Sequence, residues 1–207
     1  MANVMLLLAH PRHGSYCHAI AERIAEQLLA LGHIVRSHDL YAELFDPLVP
    51  AYESHTTGKA VESFVAQEDD PLIALHREEL RQAEGLIAVH PNWWGMPPAI
   101  LTGWIDRIIV PGVAYRLADA TGHPQPLAPV AELFVVNTSD TTDERERDLY
   151  GDPLASIWGR CVAPYLGGPR VTRTVLRPVT DAAPEQRAVW LDEVEALAAE
   201  TFGNALG

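Results

Sequence analysis

The chain has 207 residues, 15 Lys and Arg against 28 Asp and Glu, a net charge of −13 and 48% apolar residues. The length suits one folding unit, 1–207, and the apolar fraction suits a packed core. The acidic balance argues against nucleic acid as a partner, because phosphate contacts need clustered Lys and Arg, but it leaves room for a local basic pocket.

Residues 4–9 form a short, continuously apolar run, the signature of a strand buried on both faces. The run has no basic flank and meets His10-Pro11 at once, so it is too short for a signal core or a membrane span. No direct membrane insertion is expected. Ser15 is placed as the N-cap of a helix reaching about Leu31, with Ile20, Ile24, Leu28 and Leu31 on one buried stripe and Gly32 ending it. Residues 34–40 then supply a second strand, which completes a βαβ unit with a right-handed crossover.

Residues 41–65 are expected to be mostly loop with some helix. Asp70 caps a helix opened by Pro71 and reaching about Ala83, and residues 86–90 are the third strand. A loop over 90–98 leads into a helix over 98–109, stopped by Pro111-Gly112. Residues 112–129 are rich in Pro and Gly and read as a long loop. Residues 133–137 are the fourth strand, 152–165 a helix, 171–177 an alternating outer strand, and 184–202 the last helix. Five strands alternating with helices predict a doubly wound α/β fold with a parallel sheet. Ligands of such sheets bind beyond the carboxyl ends of the strands, at the topological switch point.

Three loops leave those ends. The first, His10-Pro11-Arg12-His13-Gly14-Ser15-Tyr16, enters a helix N-terminus, where free N–H groups and the dipole favour an anion. It matches neither GxGxxG nor a P-loop, so a Rossmann dinucleotide site and an NTPase site lose support. His10 and His13 lack a third ligand at matching spacing, so no metal site is expected. Cys17 and Cys161 are far apart, outside any CxxC pattern, and read as free thiols in a reducing, cytoplasmic compartment.

The second loop carries Pro91, Asn92, Trp93, Trp94 and Gly95, and can hold a flat ring against its backbone. The third, Asn137, Thr138, Ser139 and Asp140, offers hydroxyls and an amide. Together they describe an anion end, a flat aromatic end and a polar border, which would fit a phosphorylated planar cofactor.

The segment from His90 through Trp93-Trp94-Gly95-Met96-Pro97-Pro98 to Asp106-Arg107, followed by Pro111-Gly112-Val113-Ala114-Tyr115, resembles the flavodoxin-like NAD(P)H:quinone oxidoreductases, including the ancillary oxidoreductases of potassium-efflux systems. Ala9-His10-Pro11 with Ser15, and Asp39-Leu40-Tyr41, support the resemblance. It implies a flavodoxin-like five-stranded parallel sheet with helices on both faces. It further implies a homodimer with one flavin per subunit, FMN slightly ahead of FAD, and a ping-pong transfer of two electrons from NADPH or NADH to a quinone-like acceptor. By match of motif, His10, Ser15, Tyr16 and Cys17 would hold the flavin phosphate, with Arg12 beside them. Pro91 to Gly95 would line the ring, and Asn137 to Asp140 would border its polar edge.

Two departures stand out. Cys17 replaces a common Asn, and Thr138-Ser139-Asp140 replaces Thr-Gly-Gly. Trp94, Tyr115 and Tyr150 are candidates for an acceptor pocket, and no side chain is assigned as acid or base, since the flavin carries the hydride chemistry. Two other readings remain: a flavin-binding regulatory subunit docked on a membrane transporter, and a flavodoxin-type electron carrier.

Overall fold

The computed structural model describes residues 1–53, 70–117 and 123–203. The expectations for 54–65, and for the part of the long loop at 118–122, lie outside the described residues. In chain order the elements are β1 (Asn3–Leu8), α1 (Tyr16–Ala30), β2 (Ile34–Asp39), α2 (Pro71–Gln82), β3 (Gly85–Pro91), α3 (Ala99–Ile108), β4 (Tyr115–Leu117), β5 (Pro124–Pro126), β6 (Glu132–Thr138), α4 (Asp143–Arg145), α5 (Pro153–Ser156), β7 (Arg170–Leu176) and α6 (Pro184–Gly203).

β2, β1, β3, β6 and β7 form one five-stranded sheet in that order, and all four pairings are parallel. β3 and β6 at its centre are buried along their whole length, as the unbroken apolar runs require. Alternate residues face opposite sides. Met5, Leu7, Leu86, Ala88, Leu133 and Val135 pack toward α2, α3 and Trp158, while Val4, Leu6, Ile87, Val89, Phe134 and Val136 pack toward α1 and α6. The strand order turns back between β1 and β3, and that point locates the crevice.

Local chemistry explains the helix ends. The Asp70 carboxylate accepts from the N–H groups of Leu72, at 2.9 Å, and Ile73, and Pro71 needs no partner in the first turn. Ile20, Ile24 and Leu28 are fully buried, each stabilising by about 1.5–3 kcal/mol. Leu31 falls outside that stripe: it is the C-cap and half exposed, because the chain turns through Gly32 at φ +82°.

Three expectations need correction. The long loop after α3 contains a short antiparallel hairpin, in which Tyr115 pairs with Pro126 and Leu117 with Pro124. The helix expected over 152–165 is regular only in α5, then widens to a π-turn over Ile157–Val162 and tightens to a 3₁₀ turn over Ala163–Leu166. Pro164 has no N–H to continue an α-helical ladder there. A helical turn also follows the third loop, α4 passing into a π-turn over Glu146–Tyr150.

On the α2–α3 side, His38 lies between two carboxylates, Nδ1 2.8 Å from Glu43 and Nε2 2.5 Å from Glu79. Trp104 donates its indole N–H to Nδ1 of His76, so the His76 proton sits on Nε2, which faces Glu43 at 3.2 Å. Among the described residues, His38, Glu43 and His76 are the group whose potential metal-ligand atoms converge. The indole bond leaves His76 Nε2 protonated, however, and a protonated nitrogen cannot ligate a metal. Burial pulls His38 down, but the hydrogen bonds and charges of Glu43 and Glu79 raise it above its ordinary value. Burial likewise pushes Glu43 up, but His38 and His76 outweigh it and hold the carboxyl at about 2.

Candidate functional site

The loops that leave β1, β3, β6 and β7 converge. His10, Arg12, Tyr16, Cys17, Pro91, Asn92, Trp93, Thr138, Ser139 and Asp140, with Val179 and Thr180, line a crevice of about 200 Å³. It runs into a cup of about 480 Å³ that shares Arg12, Tyr16, Val179 and Thr180, and adds Gly14, Ser15, Ala19 and Arg187. Eleven of the expected residues, Ser15 among them, therefore meet in one continuous cleft.

The cup sits on the first turn of α1, whose leading N–H groups have no carbonyl four residues back within the helix. Ser15 is the N-cap but does not cap with its side chain; its hydroxyl lies 2.8 Å from His18 Nδ1. Arg12 is exposed and its guanidinium has no carboxylate partner among the described residues. Arg187 reaches in from α6 with Nε buried and unpartnered, while its Nη2 donates to the Val179 carbonyl at 2.8 Å. An unpartnered buried guanidinium nitrogen, a second free guanidinium and a helix N-terminus around one cup fit a phosphate group. Burial lowers the His10 imidazole below its ordinary value, and burial pushes the Cys17 thiol up to about 11. Cys17 is therefore a thiol at neutral pH, 3.4 Å from the Thr138 hydroxyl.

The Trp loop is a tight hairpin. Trp93 and Met96 exchange two backbone hydrogen bonds, of 3.1 and 3.0 Å. Trp94 (φ +59°) and Gly95 (φ +77°) are both left-handed, which makes this a type I′ turn. A Cβ on Gly95 would come within 2.9 Å of Pro153, so this position excludes a side chain twice over. Trp94 is 97% exposed. Holding a bulky residue in this left-handed conformation costs roughly 1–2 kcal/mol.

Beneath the loops lies a fixed polar chain. His90 is fully buried; its Nδ1 donates to the Pro91 carbonyl at 2.9 Å and its Nε2 accepts from Asn137 at 2.8 Å and Trp158 at 3.1 Å. Burial first, and the Arg173 charge after it, lower His90 to about 4, so it is neutral and its orientation fixed. Arg173 donates to Asn137 and pairs with Asp152, both at 2.7 Å. Asn137 thus supports the crevice from below rather than lining it. Glu146 is buried, accepts from Asn92 at 3.2 Å, and holds the side chain that positions Gly95 through Asn92 Oδ1. Asp140 lines the crevice with one oxygen committed to the Thr180 N–H at 2.7 Å.

Four more expected residues lie outside the cleft: Trp94 and Gly95, at the tip of the turn, line neither the crevice nor the cup, and Tyr115 and Tyr150 lie elsewhere. Tyr115 lines a separate, mainly apolar trough of about 660 Å³, with Met96, Ile105, Ile109, Leu117 and Tyr165. Tyr150 borders neither cavity, and its phenol oxygen accepts from the Arg145 guanidinium at 3.0 and 3.1 Å. Sequence reasoning missed Arg187, Val179, Thr180, His18 and Glu146. The loop after β7 also leaves a strand's carboxyl end, and that signal would have found Val179 and Thr180.

A family model described as flavodoxin-like fold matches residues 2–198. The chain belongs to the flavodoxin-like fold family. NAD(P)H dehydrogenase [quinone] 1 of Cavia porcellus is 30% identical over 168 residues, 76% of this chain and 61% of that protein. The uncharacterized NAD(P)H oxidoreductase YcaK of Escherichia coli is 32% identical over 133 residues, 64% of this chain and 63% of that protein. The chain thus spans less than two thirds of these relatives' length. Among solved structures, the NAD(P)H:quinone oxidoreductase of Methanothermobacter marburgensis superposes with a TM-score of 0.71 at 22% identity, covering 95% of each chain. Smu.1420 of Streptococcus mutans gives 0.78 at 22% identity, covering 95% of this chain and 99% of that one. No helix among the described residues is long and apolar enough to cross a membrane.

Proposed function

We propose that this chain is a flavin-dependent NAD(P)H oxidoreductase that reduces quinone-like acceptors two electrons at a time in a ping-pong cycle. The observation that carries it is the continuous cleft with an anion cup at one end and the Trp93 loop at the other. The cup favours FMN, whose phosphate would meet Arg12, Ser15, Arg187 and the α1 N-terminus. An FMN-dependent NADH-azoreductase of Bacillus anthracis, solved in complex with FMN, shares this fold. Bound flavin supplies the hydride chemistry.

The chain's own residues bind, orient and exclude water. Pro91, Asn92 and Trp93 would hold the ring edge, with Pro91 and Asn92 positioned by His90 and Glu146. Thr138 and Ser139 offer hydroxyls, and Asp140 brings a carboxylate, which disfavours added negative charge on the ring. Asp140→Asn is expected to raise the flavin potential, and an unchanged potential would defeat that role.

The exposed Trp94 and the apolar trough with Tyr115 suit coverage by a second copy, so the working form is a homodimer. An exposed free Cys161 suits the reducing cytoplasm. With a general field that repels anions, NAD(P)H is drawn by local groups, and its KM should change little or fall modestly with salt. The test is turnover: purified protein with FMN should oxidise NADPH or NADH rapidly when menadione is added. Flavin binding without turnover would instead support a regulatory subunit docked on a transporter.

A further inference from the structure

One chain of side chains at the cup goes beyond holding an anion, and it rests on the reading of that cup as the seat of a flavin phosphate. Ser15 Oγ lies 2.8 Å from His18 Nδ1, and His18 Nε2 lies 3.1 Å from Asp39 Oδ2. Asp39 is fixed at the end of β2, because its other oxygen accepts from the N–H groups of Tyr41 and Ala42 at 3.1 and 3.2 Å. An ionised carboxylate only accepts, so His18 Nε2 carries a hydrogen. Nδ1 then has two states. Bare, it accepts the Ser15 hydroxyl hydrogen, and the serine turns lone pairs toward the cup. Protonated, it donates to Ser15 Oγ, and the serine hydrogen is released to point at whatever occupies the cup.

The groups around His18 are these. His13 and His10, from the loop before α1, stand with ring centroids at 5.3 and 6.3 Å, beside Arg12. Glu22 on α1, and Asp39 and His38 on β2, border the same cleft as His18. Ser15 is 2% exposed, which closes it to attack on a bulky substrate but not to a hydrogen bond with an anion.

We propose that His18, held by Asp39, is a positioning residue that couples capture of the cofactor phosphate to uptake of one proton. The proton comes from solvent and binds Nδ1. The serine hydrogen swings from Nδ1 to a phosphate oxygen. No covalent bond to carbon or phosphorus forms or breaks, and the added positive charge lies beside the anion. This gives the site a preference for phosphorylated over unphosphorylated flavin that weakens as pH rises.

The test is titration of the folded protein with FMN and with riboflavin from pH 6.5 to 8.5. It is combined with calorimetry at pH 8 in buffers of different ionisation enthalpy, where the FMN phosphate is already fully ionised. The FMN Kd should rise by about threefold to tenfold per pH unit above 7, tenfold being the slope that one proton gives. Riboflavin should show a flat profile. His18→Asn puts an amide N–H near the Nδ1 position and should flatten the FMN profile and remove most of the proton uptake. Ser15→Ala should flatten it as well, with weaker FMN binding, and serves if His18→Asn does not fold. A flat wild-type profile, or an unchanged slope and proton count in both variants, would overturn the proposal while leaving the flavin reading intact. Failure of both flavins to bind at any pH would overturn the flavin reading, and this proposal with it.

Discussion

Two groups of histidines flank the same edge of the sheet, and they differ in what their nitrogens find. His38 and His76 are closed: carboxylates take both nitrogens of His38, and Trp104 fixes the tautomer of His76. His10, His13 and His18 stand together beside the open cup, where Arg12 has no carboxylate partner among the described residues and Arg187 Nε is unpartnered. Neighbouring residues of β2 serve both groups, His38 reaching toward α2 and Asp39 toward α1, because successive strand residues face opposite sides. Histidine and carboxylate in proximity therefore do not mark a site by themselves. Carboxylates facing the imidazoles mark a structural cluster, and cationic groups left unpaired around a cleft mark binding.

Substitutions should separate the two groups. The largest effect is expected at the closed one. Glu79→Gln leaves His38 with one carboxylate and should destabilise the fold by about 3 kcal/mol in urea unfolding, with little change in FMN affinity of the folded fraction. At the open group, Arg12→Ala should raise the FMN Kd about tenfold to a hundredfold, the range of one or two lost charged hydrogen bonds, and leave the unfolding free energy of the flavin-free protein within about 0.5 kcal/mol. If these two results exchanged places, the distinction between closed and open would be wrong.

The pH dependence of stability sharpens the contrast. His38 is raised in the folded state, so its contribution is full below the ordinary imidazole value of 6.5 and is lost as pH climbs through the folded value. Glu43 is depressed, so its contribution is full above 4.5 and fades as pH falls toward 2. Urea unfolding from pH 3 to 9 should show both losses in wild type, and His38→Gln should remove the alkaline one. The smallest effect is expected at the turn tip: Trp94→Gly relieves a left-handed side chain and should stabilise the monomer by about 1 kcal/mol. The same change should weaken the homodimer proposed above in sedimentation measurements.

Much of this architecture was legible in the sequence. The unbroken runs of β1, β3 and β6 require strands buried on both faces, and the Asp70-Pro71 pair marks the start of α2 without ambiguity. The crevice residues from β1, β3 and β6 followed from the rule that ligands sit at strand carboxyl ends. Other features depended on distant partners. Arg187 lies on the last helix and enters the cup only through packing of α6 on α1. His18 stands three residues after Ser15, a spacing that brings side chains together on a helix, but its meaning came from Asp39 on another strand. The π-turn at 157–162 has no local pattern to announce it. Tyr115 and Tyr150 were grouped by chemistry alone, and the fold parts them.

The central claim is that the cup on α1 seats a flavin phosphate. Its most direct test is equilibrium titration of the flavin-free protein with FMN and riboflavin at pH 7, followed by the visible absorption of the bound flavin. FMN should bind at least about a hundredfold more tightly than riboflavin, as two or more charged hydrogen bonds to phosphate imply, and Arg12→Ala should erode that ratio. Equal affinity for the two flavins, or uptake of neither, would contradict the account.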